Sequence, residues 1–569
     1  MTEIQLADGR QVTPAQAIEH ALSQPTLCAA FQATIAANAD RVALRALGEE
    51  REITFADYGA RVQSIASGLA AIGVAAGDAV GLMLTNTPEF YLVDTALVHL
   101  GAGPFSIYFT NPPEQISPLM HNSGARVVVT EPEYAGRLAA VREQIGVPEQ
   151  IVVIGDDAGE GDLTLAEVES RPAPDGFDFA ASWRAVTPET IGLIIYTSGT
   201  TGEPKGVEWS HRALIQNVRN VHTLSPASPH GKVLSYLPMA HLFERWFSHY
   251  GQIGLGYTVT TVGNAKRLAE AMAAVSPTRF IGVPRIYEKL AAAIDSMLGG
   301  ETSRSARDAV RARLGLGDAE WLGSAAAPAR EDTLESFAHL GLNVTEIWGM
   351  SETAMSLCNP VDRIKIGTVG VPMPGFEAKL LKDGELCVRG PIFSGYRHDP
   401  ERTREAVDEE GWMHSGDIAA QDKDGYYRIV DRKKEIIINS AGKNIPPAMV
   451  EARIKQQSPL IAQAVAIGDR LPYLTALLVL DEEALLHFAQ QRGLKGSHEE
   501  LAQRPEVQAE VQRAMDAANA TLARIEQVKR YTILADSWTP GSDELTPSLK
   551  VKRRNILSRY SGEIAALYS

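Results

Sequence analysis

Three glycines, four Ser or Thr hydroxyls and one lysine fall within the eleven residues Tyr196-Thr197-Ser198-Gly199-Thr200-Thr201-Gly202-Glu203-Pro204-Lys205-Gly206. Glycine lets backbone N–H groups turn toward an anion, hydroxyls donate to phosphate oxygens, and lysine brings positive charge. An apolar run, Ile191–Ile195, precedes the stretch and reads as a buried strand. The arrangement suits the phosphates of a nucleotide. It is not a Walker A loop, because no Ser or Thr follows the lysine, which stands between Pro204 and Gly206. A flexible surface loop has a similar composition; the complete string favours phosphate binding.

Other chemistry-bearing groups lie downstream. Gly323-Ser324-Ala325-Ala326-Ala327-Pro328 is a run of small residues that would let a flat ring approach the backbone. Trp348-Gly349-Met350-Ser351-Glu352-Thr353 follows a predicted strand, Val344–Ile347, and carries an aromatic ring and a carboxylate. Taken alone, Glu352 would more often be a surface carboxylate. Asp417, in His414-Ser415-Gly416-Asp417, can accept two hydrogen bonds from a vicinal diol such as ribose. The charged run Asp431-Arg432-Lys433-Lys434-Glu435 is either a linker between domains or an ordinary solvated turn. Near the end, Lys550, Lys552 and Arg553 form a basic cluster that a plain basic tail would also produce. His241 is either a neutral imidazole that orients a substrate carboxylate or a packed core histidine. No His/Cys/Asp spacing typical of zinc is present.

In order and wording these segments resemble the adenylate-forming superfamily: acyl-CoA synthetases, luciferases and peptide-synthetase adenylation domains. The similarity spans about residues 40 to 560. It is nearest to long-chain fatty acyl-CoA synthetases in Tyr236–Arg245, Val283–Lys289, Asp431–Ile445 and Leu545–Arg553. The resemblance implies ATP, Mg²⁺ and CoA as cofactors or co-substrates. By it, Thr197, Ser198, Gly199, Thr200, Thr201, Gly202 and Lys205 clamp phosphates. Gly323, Ser324, Ala325, Trp348, Gly349, Met350 and Ser351 line the adenine site. Glu352 and the Ser198 hydroxyl hold Mg²⁺, Asp417 and Arg432 read ribose or phosphate, and Lys434 is a hinge. Gly442 borders the pantetheine channel. Lys550, with Lys552 as its near neighbour, is the cation that bridges the acyl carboxylate and the α-phosphate. Leu549 stands where many relatives carry glycine. The implied activity is conversion of a long-chain fatty acid to acyl-AMP and then acyl-CoA. Loading of a carrier protein, or an inactive ATP-binding homologue, are the alternatives.

Composition sets outer bounds. The chain has 569 residues, too many for one ordinary core. Hydrophobic residues are 45% and charged residues 22%, as in globular proteins. A net charge of −16 argues against a general nucleic-acid binder, so ATP must be met by local positive charge. Three distant cysteines suggest neither a disulfide framework nor a metal motif, and reduced thiols in the cytoplasm are the simplest reading. The start lacks a signal-peptide pattern and no apolar run is long enough to span a bilayer. Membrane contact, if any, would be peripheral, at the inner face.

The elements that must position these groups alternate. Helical spacing from Thr54 to Gly73, with Thr54 as cap, precedes strand-like runs at Ala79–Leu84, Arg126–Thr130, Ile151–Ile154 and Leu193–Tyr196. Residues 1–50 read as a helical lead-in. This predicts an α/β architecture: a large N-terminal domain of several subdomains with largely parallel sheets, including a small β-rich subdomain over Gly367–Ile429. A small mobile α+β C-terminal domain follows, with strands at Ile436–Ile438, Ala464–Ile467 and Leu474–Leu480. The expected domains are 1–432 and 433–569.

Overall fold

The computed structural model describes residues 4–5, 9–198, 204–439, 444–539, 541–546 and 550–569. Gly199, Thr200, Thr201, Gly202 and Gly442 lie outside these residues, as does the side chain of Ser198. The chain divides into two compact units. One comprises Met1–Lys379, Cys387–His414 and Lys423–Tyr427; the other comprises Leu380–Leu386, Ser415–Asp422 and Arg428–Ser569.

The first unit is α/β, built largely on parallel strands. Its widest sheet runs in the order Gly395–Tyr396, Pro204–Ser210, Ile191–Ser198, Gly103–Ser106, Ala79–Met83, Val127–Thr130, Gln150–Val153 and Leu163–Thr164. Pairing is parallel from Ile191–Ser198 to Leu163–Thr164 and antiparallel at the other edge. Ala79–Met83 and Val127–Thr130 are buried at every position. Such strands read as continuous apolar runs because helices cover both faces. The helix Phe55–Ala71 starts where Thr54 accepts a hydrogen bond from the Asp57 N–H, as its sequence predicts.

A second sheet orders Lys232–Ser235, Thr258–Thr261, Val42–Ala46 and Glu52–Thr54. The lead-in holds the helical stretches Pro14–Leu22 and Leu27–Asn38, and Val42–Ala46 adds a strand that was not read there. Its Ala43 and Leu44 are fully buried, and five residues with two β-branched or leucine neighbours leave too little length for a helical stripe to show.

A third sheet orders Arg279–Gly282, Trp321–Ser324, Val344–Met350, Ala354–Cys358 and Val371–Pro372. Its first three strands are parallel, with Gly282, Ser324 and Glu346 in register. The segments Val283–Lys289, Gly323–Pro328 and Trp348–Thr353 therefore sit at the carboxyl ends of three neighbouring strands, where open α/β sheets bind ligands. A four-stranded sheet, Glu377–Leu380, Glu385–Arg389, Met413–Gln421 and Tyr427–Arg432, accounts for the β-rich texture read there.

The second unit contains a sheet of Ile461–Ile467 and Leu474–Leu480 in antiparallel pairing, with Val528–Ile533 parallel to the latter. Helices Pro447–Gln456 and Pro505–Ala520 supply Val450, Ile454, Val507, Val511 and Met515 to one core. Asp481 caps the helix Glu482–Gln491. Among the described residues no helix is long and apolar enough to cross a membrane.

Candidate active site

The glycine- and threonine-rich stretch lies between two strands that pair with each other. Ile191–Ser198 and Pro204–Ser210 pair antiparallel, with Thr197 opposite Lys205 and Ser198 opposite Pro204. Residues 199–203 join them. Lys205 is therefore held by a strand, as its second residue, whereas a Walker A lysine opens a helix. The Tyr196 hydroxyl donates to Asn122 Oδ1 at 2.8 Å and anchors the first of the two strands.

The short strand Gly395–Tyr396 lies along the outer side of this strand pair, with Tyr396 opposite Val207. The Lys205 ammonium stands 5.2 Å from the centre of the Tyr396 ring, a cation–π arrangement. The Tyr396 hydroxyl donates to Glu352 Oε1 at 2.8 Å. Burial, reinforced by the adjacent Glu352 charge, holds that phenol well above its usual range, so it keeps its proton and donates. Glu352 is 8% exposed. Its Oε2 makes no hydrogen bond among the described residues. Tyr396 thus joins the Ile191–Ser198 and Pro204–Ser210 strand pair to the Trp348–Thr353 segment. The Trp209 indole N–H adds a second tie, donating to the Ser351 carbonyl at 2.9 Å.

The Trp348–Thr353 segment is a tight strand-to-strand turn. The Met350 N–H donates to Thr353 Oγ1 at 3.1 Å, and the Thr353 N–H returns to the Met350 carbonyl at 3.2 Å. Ala354 has φ +49°, a left-handed conformation, and brings its carbonyl against Gly349. A Cβ at Gly349 would lie 1.6 Å from that oxygen. Gly349 is thus required by backbone packing, and Trp348, its neighbour, is buried.

At the end of the adjacent strand, Ser324 and Ala325 are buried while Ala326 is exposed in the left-handed region at φ +75°. The space beside Gly323 is filled from within: a Cβ there would meet Trp321 at 2.7 Å and Ile347 at 2.9 Å. The small residue at 323 thus admits the Trp321 ring and the Ile347 side chain.

His241 is half-buried and its Nε2 shares a 3.0 Å hydrogen bond with the Tyr108 hydroxyl. The two rings meet edge to face, 5.6 Å between centroids. The imidazole is neither a fully packed core residue nor a solvated one.

In the second unit, Asp417 and Arg432 come together. Arg432 Nε donates to Asp417 Oδ1 at 2.7 Å, and its guanidinium also reaches the Ser415 carbonyl. Asp417 is 4% exposed and the Arg432 side chain 46%. The charged run is not uniformly solvated. Asp431 is buried, accepting from the Arg432 and Ala448 N–H groups, and burial pushes its carboxyl up to about 6. Lys434 is exposed at the corner of a turn closed by Glu435 and Ile436 N–H groups on the Arg432 carbonyl.

Lys550 and Lys552 have different surroundings. Leu545 bridges Val551, and the Lys550 N–H donates to Thr546 Oγ1 at 3.0 Å, so the lysines flank a small hairpin. The Lys552 ammonium donates to the Ser542 carbonyl at 2.8 Å and is partly buried. Lys550 is exposed. Arg553 fixes the base of this hairpin: its guanidinium donates to the Ala466 carbonyl and pairs with buried Glu451 at 2.6 Å. Glu435 lies 3.7 Å away on the same cation.

Among the described residues no cluster of three or more His, Cys, Asp or Glu side chains could hold a metal alone. Glu352, a buried carboxylate with one oxygen uncommitted, fits a Mg²⁺ ion that takes its remaining ligands from phosphate and water. Tyr396, Trp209 and Arg553 were not singled out as site residues from sequence. An aromatic residue in a Gly/Pro-rich stretch carries no local mark of its partner 44 positions away.

Residues 31–397 match the AMP-binding enzyme family and residues 434–569 match the AMP-binding enzyme C-terminal domain. A Mycobacterium tuberculosis protein provisionally named a fatty-acid–CoA ligase, fadD11, is 41% identical over 451 residues, covering 72% of this chain and 79% of that protein. The long-chain-fatty-acid–CoA ligase FadD15 of Mycobacterium bovis is 31% identical over 564 residues, covering 91% of this chain and 92% of its own. Among solved structures, the adenylation domain of a carboxylate reductase from Mycobacterium chelonae superposes with a TM-score of 0.79 at 20% identity, over 98% of this chain and 94% of that one. That likeness establishes the shared fold. The chain belongs to the AMP-binding enzyme family, within the adenylate-forming superfamily.

Proposed function

We propose that the protein is an AMP-forming acyl-CoA ligase that acts on long-chain fatty acids. The fatty carboxylate attacks the α-phosphorus of ATP, forming an acyl–phosphate anhydride and releasing pyrophosphate. The CoA thiol then attacks the acyl carbon, forming a thioester and releasing AMP, with the thiol proton passing to solvent. The observation that carries this reading is the Lys205–Tyr396–Glu352 chain. It puts a cation and an acidic metal ligand on two segments fixed to each other, as a polyphosphate requires. The relatives named fatty-acid–CoA ligases support the acid and the acceptor.

Within this reading, Lys205, Thr197, Ser198, Gly199, Thr200, Thr201 and Gly202 hold the phosphates. Mg²⁺, when bound by Glu352 and the Ser198 hydroxyl, neutralises charge that develops on them. Asp417 and Arg432 read the ribose, and Gly323–Ala325 with Trp348–Ser351 border the adenine. His241 orients the acyl carboxylate. Lys550 bridges that carboxylate and the α-phosphate. Its exposure suits a group that engages substrate. Gly442 borders the thiol's path. A C-terminal domain from residue 433 turns about Lys434 between the half-reactions, which an exposed turn residue would permit.

The test is a panel of acids from acetate to long-chain fatty acids, scored by mass spectrometry for acyl-CoA. Thioester formation rising with chain length is expected. Activity confined to short acids would overturn the long-chain assignment. Transfer to a phosphopantetheinyl protein but not to CoA would replace the acceptor.

A further inference from the structure

The loop that carries His241 is tied at Leu237, whose two backbone polar groups are both held by side chains. At its start, the Leu237 carbonyl accepts from Asn86 Nδ2 at 2.9 Å, and the same amide donates to Ser235 Oγ at 2.8 Å. The Leu237 N–H donates to Glu244 Oε2 at 3.3 Å. Glu244 lies at the other end of the loop, in the short helix Leu242–Glu244 that His241 caps. Both backbone polar groups of one residue, Leu237, are therefore held by side chains, and the residues from Leu237 to Glu244 are closed into a ring. Within it the His241 N–H donates to the Pro238 carbonyl at 2.9 Å, and the His241 carbonyl accepts from Arg245 at 3.2 Å.

Glu244 is a costly residue at this place. It is fully buried, and its Oε1 has no hydrogen-bond partner among the described residues. A buried polar atom without a partner costs about 1–3 kcal/mol. Burial also pushes this carboxyl up to about 7. Its backbone carbonyl takes a hydrogen bond from Ser248, which is held by the Tyr91 hydroxyl at 2.9 Å. The helix changes there to a π-type turn over Arg245–Tyr250, a form that concentrates at functional sites. Stability alone would be served better by an apolar side chain. The carboxyl instead sets the path of the loop.

We propose that Glu244 is a positioning residue: its carboxyl closes the Leu237–Glu244 loop and so sets His241 against Tyr108 and the reacting acid. The proposal rests on the assignment of His241 to the adenylation step. Asn86 performs the same service at the Leu237 carbonyl.

The test measures adenylate formation by ATP–pyrophosphate exchange in the full chain for Glu244→Leu, Glu244→Gln, His241→Ala and Glu244→Leu combined with His241→Ala. Glu244→Leu removes the acceptor and is expected to lower kcat roughly 10- to 100-fold with the KM for ATP unchanged. Glu244→Gln keeps an acceptor oxygen and should restore most of the rate. The double variant should be no slower than His241→Ala, because both changes act through one group. Multiplying losses in the double variant, or Glu244→Gln as slow as Glu244→Leu, would overturn the proposal. Should His241→Ala retain the wild-type rate, the His241 assignment falls and the proposal with it. If Glu244→Leu does not fold, Asn86→Ala, alone and with His241→Ala, gives the same reading: non-additive loss supports the loop closure and additive loss refutes it.

Discussion

The Tyr396 hydroxyl donates a 2.8 Å hydrogen bond to Glu352 Oε1 while its ring lies 5.2 Å from the Lys205 ammonium. One aromatic side chain therefore stands between a cation and a carboxylate that would otherwise attract and neutralise each other. Removing the hydroxyl leaves Glu352 buried with both oxygens unpaired, and a hydrogen bond to a charged group is worth about 1.5–3 kcal/mol. Tyr396→Phe should weaken the response of adenylate formation to Mg²⁺, with roughly a 10- to 100-fold fall at fixed MgATP. Exchange rates titrated against Mg²⁺ check this. An unchanged titration would remove Tyr396 from the site.

Gly349→Ala should be far worse than a one-carbon change suggests. The new Cβ would overlap the Ala354 carbonyl, so the turn holding Glu352 must open. A loss of at least about 1–3 kcal/mol, the usual range for overpacking, is expected with near-complete loss of exchange activity. Thermal melts and exchange assays measure the two effects separately.

The two lysines near the C-terminus should separate cleanly. Lys550→Ala should lower adenylate formation by about 100-fold or more while sparing thioester formation from supplied acyl-AMP. Lys552→Ala removes a tie to the Ser542 carbonyl and should cost roughly tenfold or less. Single-turnover assays of each half-reaction distinguish them. Equal loss in both half-reactions for Lys550→Ala would contradict its role.

Much of this was legible in the chain and some was not. Thr54 and Asp481 announce their helices because a cap is a local interaction, settled within three residues. The apolar-rich runs at Ala79–Leu84 and Arg126–Thr130 announce strands, observed at Ala79–Met83 and Val127–Thr130. The resemblance gave Asp417 and Arg432 a ligand in common, and the structure pairs the two side chains. The strand pairing that flanks the phosphate stretch was not readable, because Pro204 and Lys205 continue a strand only through their pairing with Thr197 and Ser198. Nor was Asp431, which sits in a run of charges yet is buried by its contact with Ala448. Tyr396 and Glu244 act through partners that tertiary structure alone supplies.

Asp431 gives a pH signature. An ordinary aspartate titrates near about 3.9, and burial raises Asp431 to about 6. The folded chain thus holds this proton more tightly than the unfolded chain. Its contribution to stability is fully present below about 4 and is lost as pH rises to about 6. Asp431→Asn cannot lose that proton. Relative to wild type, the variant should melt at a higher temperature at pH 7 than the same comparison gives at pH 4.5. A difference that does not depend on pH would mean that Asp431 titrates normally.

The most direct measurement is product analysis of one reaction containing a long-chain fatty acid, MgATP and CoA. The account predicts AMP, pyrophosphate and acyl-CoA in equal amounts, with acyl-AMP accumulating when CoA is omitted. ADP and inorganic phosphate in their place, or AMP with no acyl product, would contradict it.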